Sequence, residues 1–307
     1  MSSVTDDDVP LDLAHGDPLD LEGLLTLERV DDDVYRGRCH AGLPKRAFGG
    51  HIAAQSLTAA GGTVTREHAA HSLHGYFLSA GNPHDPITYR VERLRDGRCY
   101  RSRRVTATQD GTAIFTLSAS FKLPEVTPDR QPVMPAVPPP EELPDPYEAW
   151  SRVRPDEYRD AVTARVMSMR FVPSEDVDGD RPLGIAEQFV WLEPAHSLPD
   201  DPLMHVCALT YGSDMTLAST AALDRQPHRS LQRGPSRVFM TSLDHAVWFH
   251  RPFRADDWML FAQQSPSAVD GRGLSMGNFW TRDGHLVATV VQESLMRPVR
   301  RIDHEND

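Results

Sequence analysis

An internal repeat constrains this chain more than any other feature. Phe48-Gly49-Gly50-His51-Ile52-Ala53-Ala54 opens a segment rich in Ala, Leu and Gln that reads as a helix stopped at Gly61-Gly62. Tyr211-Gly212-Ser213-Asp214-Met215-Thr216-Leu217 opens a segment of like character. A strand landmark follows each, His71-Ser72-Leu73-His74-Gly75-Tyr76-Phe77 in the first half and Thr241-Ser242-Leu243-Asp244-His245-Ala246-Val247-Trp248-Phe249 in the second. Asp-Gly turns come next in the same order: Asp96-Gly97 and Asp110-Gly111 are matched by Asp270-Gly271 and Asp283-Gly284. Loop lengths shift the register, but the order never changes, so one unit is built twice.

Asp-Gly between alternating apolar runs is the strongest short hairpin signal. It predicts an antiparallel meander of Ile87 to Glu92, Tyr100 to Gln109 and Ala113 to Lys122, copied in the second half. A sheet with one apolar face must cover it, and the Ala-rich helix of each half is the available cover. The fold class is therefore α+β, a double hotdog: two antiparallel sheets, each wrapped around a central helix, with the helices beginning near Gly49 and near Ser213. Residues 124–146 hold nine prolines, which excludes a central strand or a helix interior, and a helical segment from about Pro146 to Arg165 follows. The expected division is an acidic, disordered tail over 1–20, a first hotdog over 21–123, a Pro-rich linker and helix over 124–163, and a second hotdog over 164–302.

Composition removes several function classes. The formal net charge of −12 over 307 residues argues against a nucleic-acid footprint, which needs a basic face. Cys39, Cys99 and Cys207 are odd in number, far apart and without a CxxC, which fits a reducing compartment and excludes a cysteine zinc site. No apolar run is long enough for a membrane span, and the N-terminus carries acids where a signal peptide needs basic residues. A cytoplasmic protein without membrane insertion is expected.

Gly273-Leu274-Ser275-Met276-Gly277 matches the G-x-S-x-G pattern of serine hydrolases. That pattern needs a strand, a sharp turn and a helix, whereas here the serine falls inside a predicted strand with too little chain after it to supply an acid and a His. His68, His71 and His74 stand three apart, a spacing that alternates faces on a strand and cannot converge on one metal ion. GxGxxG and Walker patterns are absent, so nothing points to a dinucleotide or a P-loop nucleotide site. What remains is a set of polar residues present in one repeat only. Asp214, at the start of the second helix, faces His51 in the alignment of the halves; Thr241 faces Ala70; Gln292 faces the region of Ala119. On spacing alone, Asp214 reads equally as an N-cap and Gln292 as a satisfied strand residue.

At these residues the chain resembles the TesB-type (type II) acyl-CoA thioesterases. The resemblance is carried by Phe48-Gly49-Gly50, the His71–Phe77 stretch, Leu94-Arg95-Asp96-Gly97, Tyr211-Gly212-Ser213-Asp214, the run from Leu243 to Phe253 with its Trp248-Phe249-His250-Arg251-Pro252-Phe253 block, and Val291-Gln292-Glu293. It spans about residues 24–298 and is weakest in the Pro-rich linker. It implies a double hotdog that hydrolyses acyl-CoA to free fatty acid and CoA, with Asp214, Thr241 and Gln292 as the catalytic set. On that reading Asp214 takes a proton from the attacking water, Gln292 and Thr241 hold that water, and no cofactor is needed. The resemblance also implies a homo-oligomer. The alternatives are a hotdog acyl-CoA hydratase or dehydratase, for which His51 is the available histidine, and a catalytically silent acyl-CoA-binding protein.

Overall fold

Two-residue hairpins that follow the twist of their strands need two successive left-handed residues. The Asp-Gly turns supply them: φ is 46° and 76° at Asp110 and Gly111, and 53° and 69° at Asp270 and Gly271. The computed structural model describes residues 20–42, 46–153, 155, 161–173, 176, 185–223 and 238–298. The acidic tail lies outside them apart from Asp20, whose carboxylate accepts the Gly23 N–H at 2.7 Å and caps the first helix.

The first half runs α1 (Leu21–Leu25), β1 (Glu28–Asp31), β2 (Val34–Gly37), α2 (Gly49–Gly61), β3 (Ala69–Phe77), β4 (Ile87–Asp96), β5 (Tyr100–Gln109) and β6 (Thr112–Lys122). After the Pro-rich stretch come α3 (Pro146–Val153) and α4 (Val162–Val166). Both described parts of the expected helical segment from about Pro146 to Arg165 are helical, and residues 154 and 156–160 between them lie outside the described residues. The second half continues with β7 (Met167–Phe171), β8 (Ala186–Pro194), α5 (Pro202–Ser213), α6 (Leu217–Thr220), β9 (Val238–Ser242), β10 (Asp244–Phe249), β11 (Met259–Val269), β12 (Arg272–Thr281) and β13 (Leu286–Pro298).

The fold is a double hotdog of the α+β class. Among the described residues the strands form one sheet in the order β1-β2-β4-β5-β6-β3-β10-β13-β12-β11-β8-β7, with β9 beside β13 and every pairing antiparallel. Read from its two ends, the order matches β1 with β7, β2 with β8, β4 with β11, β5 with β12, β6 with β13 and β3 with β10, which is the sequence repeat in three dimensions. The two sheets of the repeat are continuous where β3 pairs with β10, Leu73 opposite Val247 and His74 opposite Ala246.

The central helix of the first half is α2. Ile52, Ala53, Ala54, Leu57, Ala59 and Ala60 are all buried, in one core with Leu73, Tyr89, Val105, Leu117 and Phe121 from the strands around it. The second half departs from the expected pattern. Its long helix, α5, ends at Ser213 instead of starting there, because Asp201-Pro202 is the stronger start signal: the Asp201 carboxylate accepts from Leu203 N, and proline tolerates the first helical position. Only the four-residue α6 follows in the described chain, pinned by Thr220 Oγ1 to Gln263 Oε1 at 2.9 Å and by Gln263 Nε2 to Thr216 Oγ1 at 2.7 Å.

The Pro-rich stretch does more than link. Met134, Val137 and Leu143 pack on Phe189, Trp191, Leu260 and Trp280, which face outward from β8, β11 and β12. Trp191 Nε1 donates to Pro138 O at 2.9 Å, Gln131 bonds Gly284 O and Leu286 N, and Asp129 pairs with Arg251. The stretch is a strap over the outer face of the second half.

The two longest helices pack antiparallel along their length, with Gly50 against Tyr211, Thr58 Oγ1 bonded to Cys207 Sγ at 3.4 Å and Gly61 against Leu203. A Cβ on Gly50, in the first turn of α2, would lie 2.5 Å from the Tyr211 carbonyl oxygen of α5, and that backbone atom cannot move aside cheaply. Gly50→Ala should therefore destabilise the fold by about 1–3 kcal/mol. Urea unfolding should report a lower midpoint with an unchanged slope.

Candidate active site

Asp214 is the residue on which the two halves converge. It is the C-cap of α5, with φ −90° and ψ −7°, so the N-cap role open to it on sequence is excluded. Gln292 on β13 donates from Nε2 to Asp214 Oδ1 at 2.5 Å and to Ser242 Oγ at 2.8 Å. Ser242, the last residue of β9, donates in turn to Asp214 Oδ1 at 3.3 Å. The Gly50 N–H of α2 also bonds the carboxylate. The Asp214 Oδ2 atom lies 2.8 Å from where a Cβ on Gly49 would be, so the two glycines let the positive end of α2 close on the acid.

Thr241 is not in this cluster. It pairs with Leu295 across β9·β13, while Ser242 pairs with Ser294, and Ser294 shares a face of β13 with Gln292. Side chains alternate along a strand, so a one-residue difference puts Thr241 on the opposite face. The structure brings Asp214 and Gln292 together and substitutes Ser242 for Thr241. Landmark alignment missed Ser242 because Thr-Ser offers two adjacent hydroxyls and the register between halves drifts there. The strand alternation, carried back from Gln292, is the signal that separates them.

A break at Leu243 shapes this corner. Between β9 and β10, Leu243 N bonds Glu293 O, Phe77 N bonds Leu243 O, and Asp244 Oδ1 accepts Glu293 N at 2.7 Å. These bonds hold β13 in place beside Gln292. Next to Asp214, Ser213 Oγ donates to Thr210 O at 2.8 Å and so accepts from His245 Nε2 at 2.7 Å. The serine hydrogen is committed to a carbonyl, which leaves this Ser–His contact unable to generate a nucleophile. Burial pushes His245 down to about 4.

The electrostatics of Asp214 follow from its burial. Desolvation raises its pKa to about 6, against the lowering effect of hydrogen bonds from Gln292, Gly50 and Ser242. A carboxylate poised near 6 is ionised at neutral pH yet basic enough to accept a proton. The other chemistry-bearing motifs stand outside the Asp214, Gln292 and Ser242 triangle. Ser275 sits in the middle of β12, fully buried, opposite Gln292. His68 bonds Thr65 and Arg98, His71 bonds Ser120, and His74 packs edge-on against Trp248. His51 gives Nε2 to Leu24 O at 2.7 Å, and burial pushes it down to about 3. Cys39 and Cys207 are buried and pushed up to about 12, so neither is a ready thiolate. Among the described residues no group of three or more His, Cys, Asp or Glu side chains is arranged to hold a metal, and no helix is long and apolar enough to cross a membrane.

Comparison with known proteins gives a consistent result. Residues 164–295 match the family model described as acyl-CoA thioesterase, and residues 40–122 match the one described as acyl-CoA thioesterase N-terminal domain. The chain is 40% identical over 296 residues to acyl-coenzyme A thioesterase 8 of Rattus norvegicus, covering 91% of this chain and 89% of that protein. It is 35% identical to acyl-CoA thioesterase 2 of Haemophilus influenzae, covering 89% of this chain and 96% of that one. Among solved structures it is similar to the acyl-CoA thioesterase II TesB2 from Mycobacterium marinum, at a TM-score of 0.76 and 40% identity over 91% of this chain and 98% of that one. A hot dog fold protein from Alicyclobacillus acidocaldarius, 21% identical with a TM-score of 0.70, shares the fold.

Two outcomes are expected from this geometry. Ser242→Ala should slow turnover about 10-fold to 100-fold, the loss of one hydrogen bond to a charged group, whereas Thr241→Ala should stay within about threefold of the parent in steady-state assays. The second concerns stability. The folded pKa of Asp214, about 6, exceeds the ordinary 3.8, so its contribution to stability is full below about pH 4 and is lost as pH rises through about 6. Asp214→Asn should therefore be more stable than the parent by about 1–2 kcal/mol above neutrality, a gain that vanishes near pH 4 in denaturant melts.

Proposed function

The chain belongs to the acyl-CoA thioesterase family and is a thioester hydrolase, and on that premise we propose that Asp214 is the general base that activates water for direct attack on an acyl-CoA, releasing free fatty acid and CoA. The observation that carries this is the triangle of Asp214, Gln292 and Ser242, closed by 2.5 Å, 2.8 Å and 3.3 Å hydrogen bonds on a buried carboxylate raised to about 6. A thioester carbonyl is electrophilic enough to be attacked without a covalent intermediate. Gln292 and Ser242 orient the base and the water. The Gly50 N–H is committed to Asp214, and the remaining unpaired N–H groups at the start of α2 can stabilise the developing oxyanion.

The hydratase alternative needs a histidine working with a carboxylate. His51 is buried against His40 and Tyr211, gives its Nε2 hydrogen to Leu24 O and is held neutral, which disfavours that role. The names of the relatives favour an enzyme over a silent binding protein.

The division into a first hotdog over 21–123, a linker and helix over 124–163 and a second hotdog over 164–302 agrees with the symmetric strand order and the separate family-model matches. Three unpaired cysteines, Cys99 exposed, fit the reducing cytoplasm. Homo-oligomeric assembly is supported by the exposed Tyr76 and Trp248 on the strands of the seam.

The test is thiol release from a panel of short to long acyl-CoAs. Asp214→Asn should keep its fold and lose about 10²- to 10⁴-fold in turnover, as expected when a general base is removed. In the parent, kcat should rise with pH through about 6, where Asp214 ionises, and then level off. Wild-type rates in folded Asp214→Asn would refute the assignment.

A further inference from the structure

The polar atoms around Gln292 are unevenly served. Both amide hydrogens are spent, one on Asp214 and one on Ser242, so Oε1 points away from them, buried and without a donor. Ser275 faces Gln292 directly across β12·β13, is 0% exposed, and its hydroxyl has no partner. Ser294, two residues along β13 on the same face and opposite Ser242, is likewise 0% exposed with an unpartnered hydroxyl. Two buried donors therefore flank one buried acceptor. Directly opposed residues of an antiparallel pair have Cβ atoms about 4.5–5.5 Å apart, within reach of a hydroxyl contact or of one bridging water held by all three groups.

The amide end that faces Asp214 matters chemically. With nitrogen toward the carboxylate, Gln292 favours the ionised base; with the amide reversed, Oε1 would meet Asp214 Oδ1, acceptor against acceptor. The two ends are nearly identical in shape, so packing alone discriminates weakly between them. The other inward residues of β12, namely Gly273, Gly277 and Phe279, offer no side-chain donor.

We propose that Ser275 is a positioning residue for thioester hydrolysis: its hydroxyl donates to Gln292 Oε1, directly or across one water shared with Ser294, and fixes the amide with its N–H groups toward Asp214 and Ser242. The inference rests on the reading of Asp214 as general base. The titratable groups around that carboxylate are His245 on β10, committed to Ser213; Asp244 and Glu293, which alternate to the other face of β10 and β13; Tyr211 on α5, bonded to His40; and His51 on α2, bonded to Leu24 O. Gln292 is thus the group through which a neutral serine can shift the titration of Asp214.

The experiment compares pH profiles of kcat and KM on one straight-chain acyl-CoA for the parent, Ser275→Ala and Asp214→Asn. Ser275→Ala should lower kcat about threefold to tenfold, the worth of one hydrogen bond, with KM unchanged. The acid limb should move up from about 6, by about half a unit to one unit, because a wandering amide no longer favours the carboxylate. Ser275→Cys, close in size but a weak donor, should behave like the alanine variant and serves if that variant fails to fold. An unchanged kcat and acid limb in folded Ser275→Ala, beside a slow Asp214→Asn, would overturn the positioning role alone. Wild-type turnover by Asp214→Asn would remove the base and this proposal with it. A loss beyond about a thousandfold with a trapped acyl-serine would make Ser275 a nucleophile and overturn the proposal as well.

Discussion

A carboxylate inside a protein is expensive unless donors surround it, and the interior of this molecule is arranged around that requirement at Asp214. Its donors come from three elements in both halves: Gly50 on α2, Ser242 on β9 and Gln292 on β13. The second half supplies two of them, and the third must come from the first half. The first half brings the start of α2, and bare glycines at 49 and 50 let that helix end approach the acid and the Tyr211 carbonyl. The β3·β10 seam holds the two halves in the register that this contact needs. An assembly of two independent hotdogs would leave the acid without its helix-end donor.

The two copies of the repeat have divided the work. The first encloses a long, Ala-rich helix among Leu73, Tyr89, Val105, Leu117 and Phe121, and its buried His51 and Gln55 are committed to Leu24 O and Tyr89. The second lines its interior with Gln188, Gln263, Ser265, Ser275, Gln292 and Ser294, under a short helix held by Thr216 and Thr220. Apolar packing supplies stability, and the polar interior supplies oriented hydrogen bonds at a cost in desolvation. Holding a poised base in the second copy is affordable because the first copy and the strap over Trp191, Leu260 and Trp280 bury apolar surface elsewhere.

Much of this was legible in the sequence because it is local. Asp-Gly pairs mark the hairpin turns, fully left-handed at 110–111 and 270–271, alternating apolar residues mark strands, and an Ala-rich helix between them calls for a wrapped sheet; these rules act over a few residues and survive duplication. Asp214 and Gln292 stood out as polar residues present in one copy only. The rest depends on contacts between distant segments. Whether the sheets merge is decided by pairing of β3 with β10, and whether the Pro-rich stretch is tether or strap is decided by the outward tryptophans it meets. The choice between Thr241 and Ser242 turns on which face of β9 meets Gln292, fixed by a pairing with β13 some fifty residues later in the chain. The end of α5 that Asp214 occupies was set by Asp201-Pro202 upstream. Sequence determined the elements and their order; tertiary structure decided which side chains share an interior, because a strand's face and a helix's end acquire chemical meaning only from what packs against them.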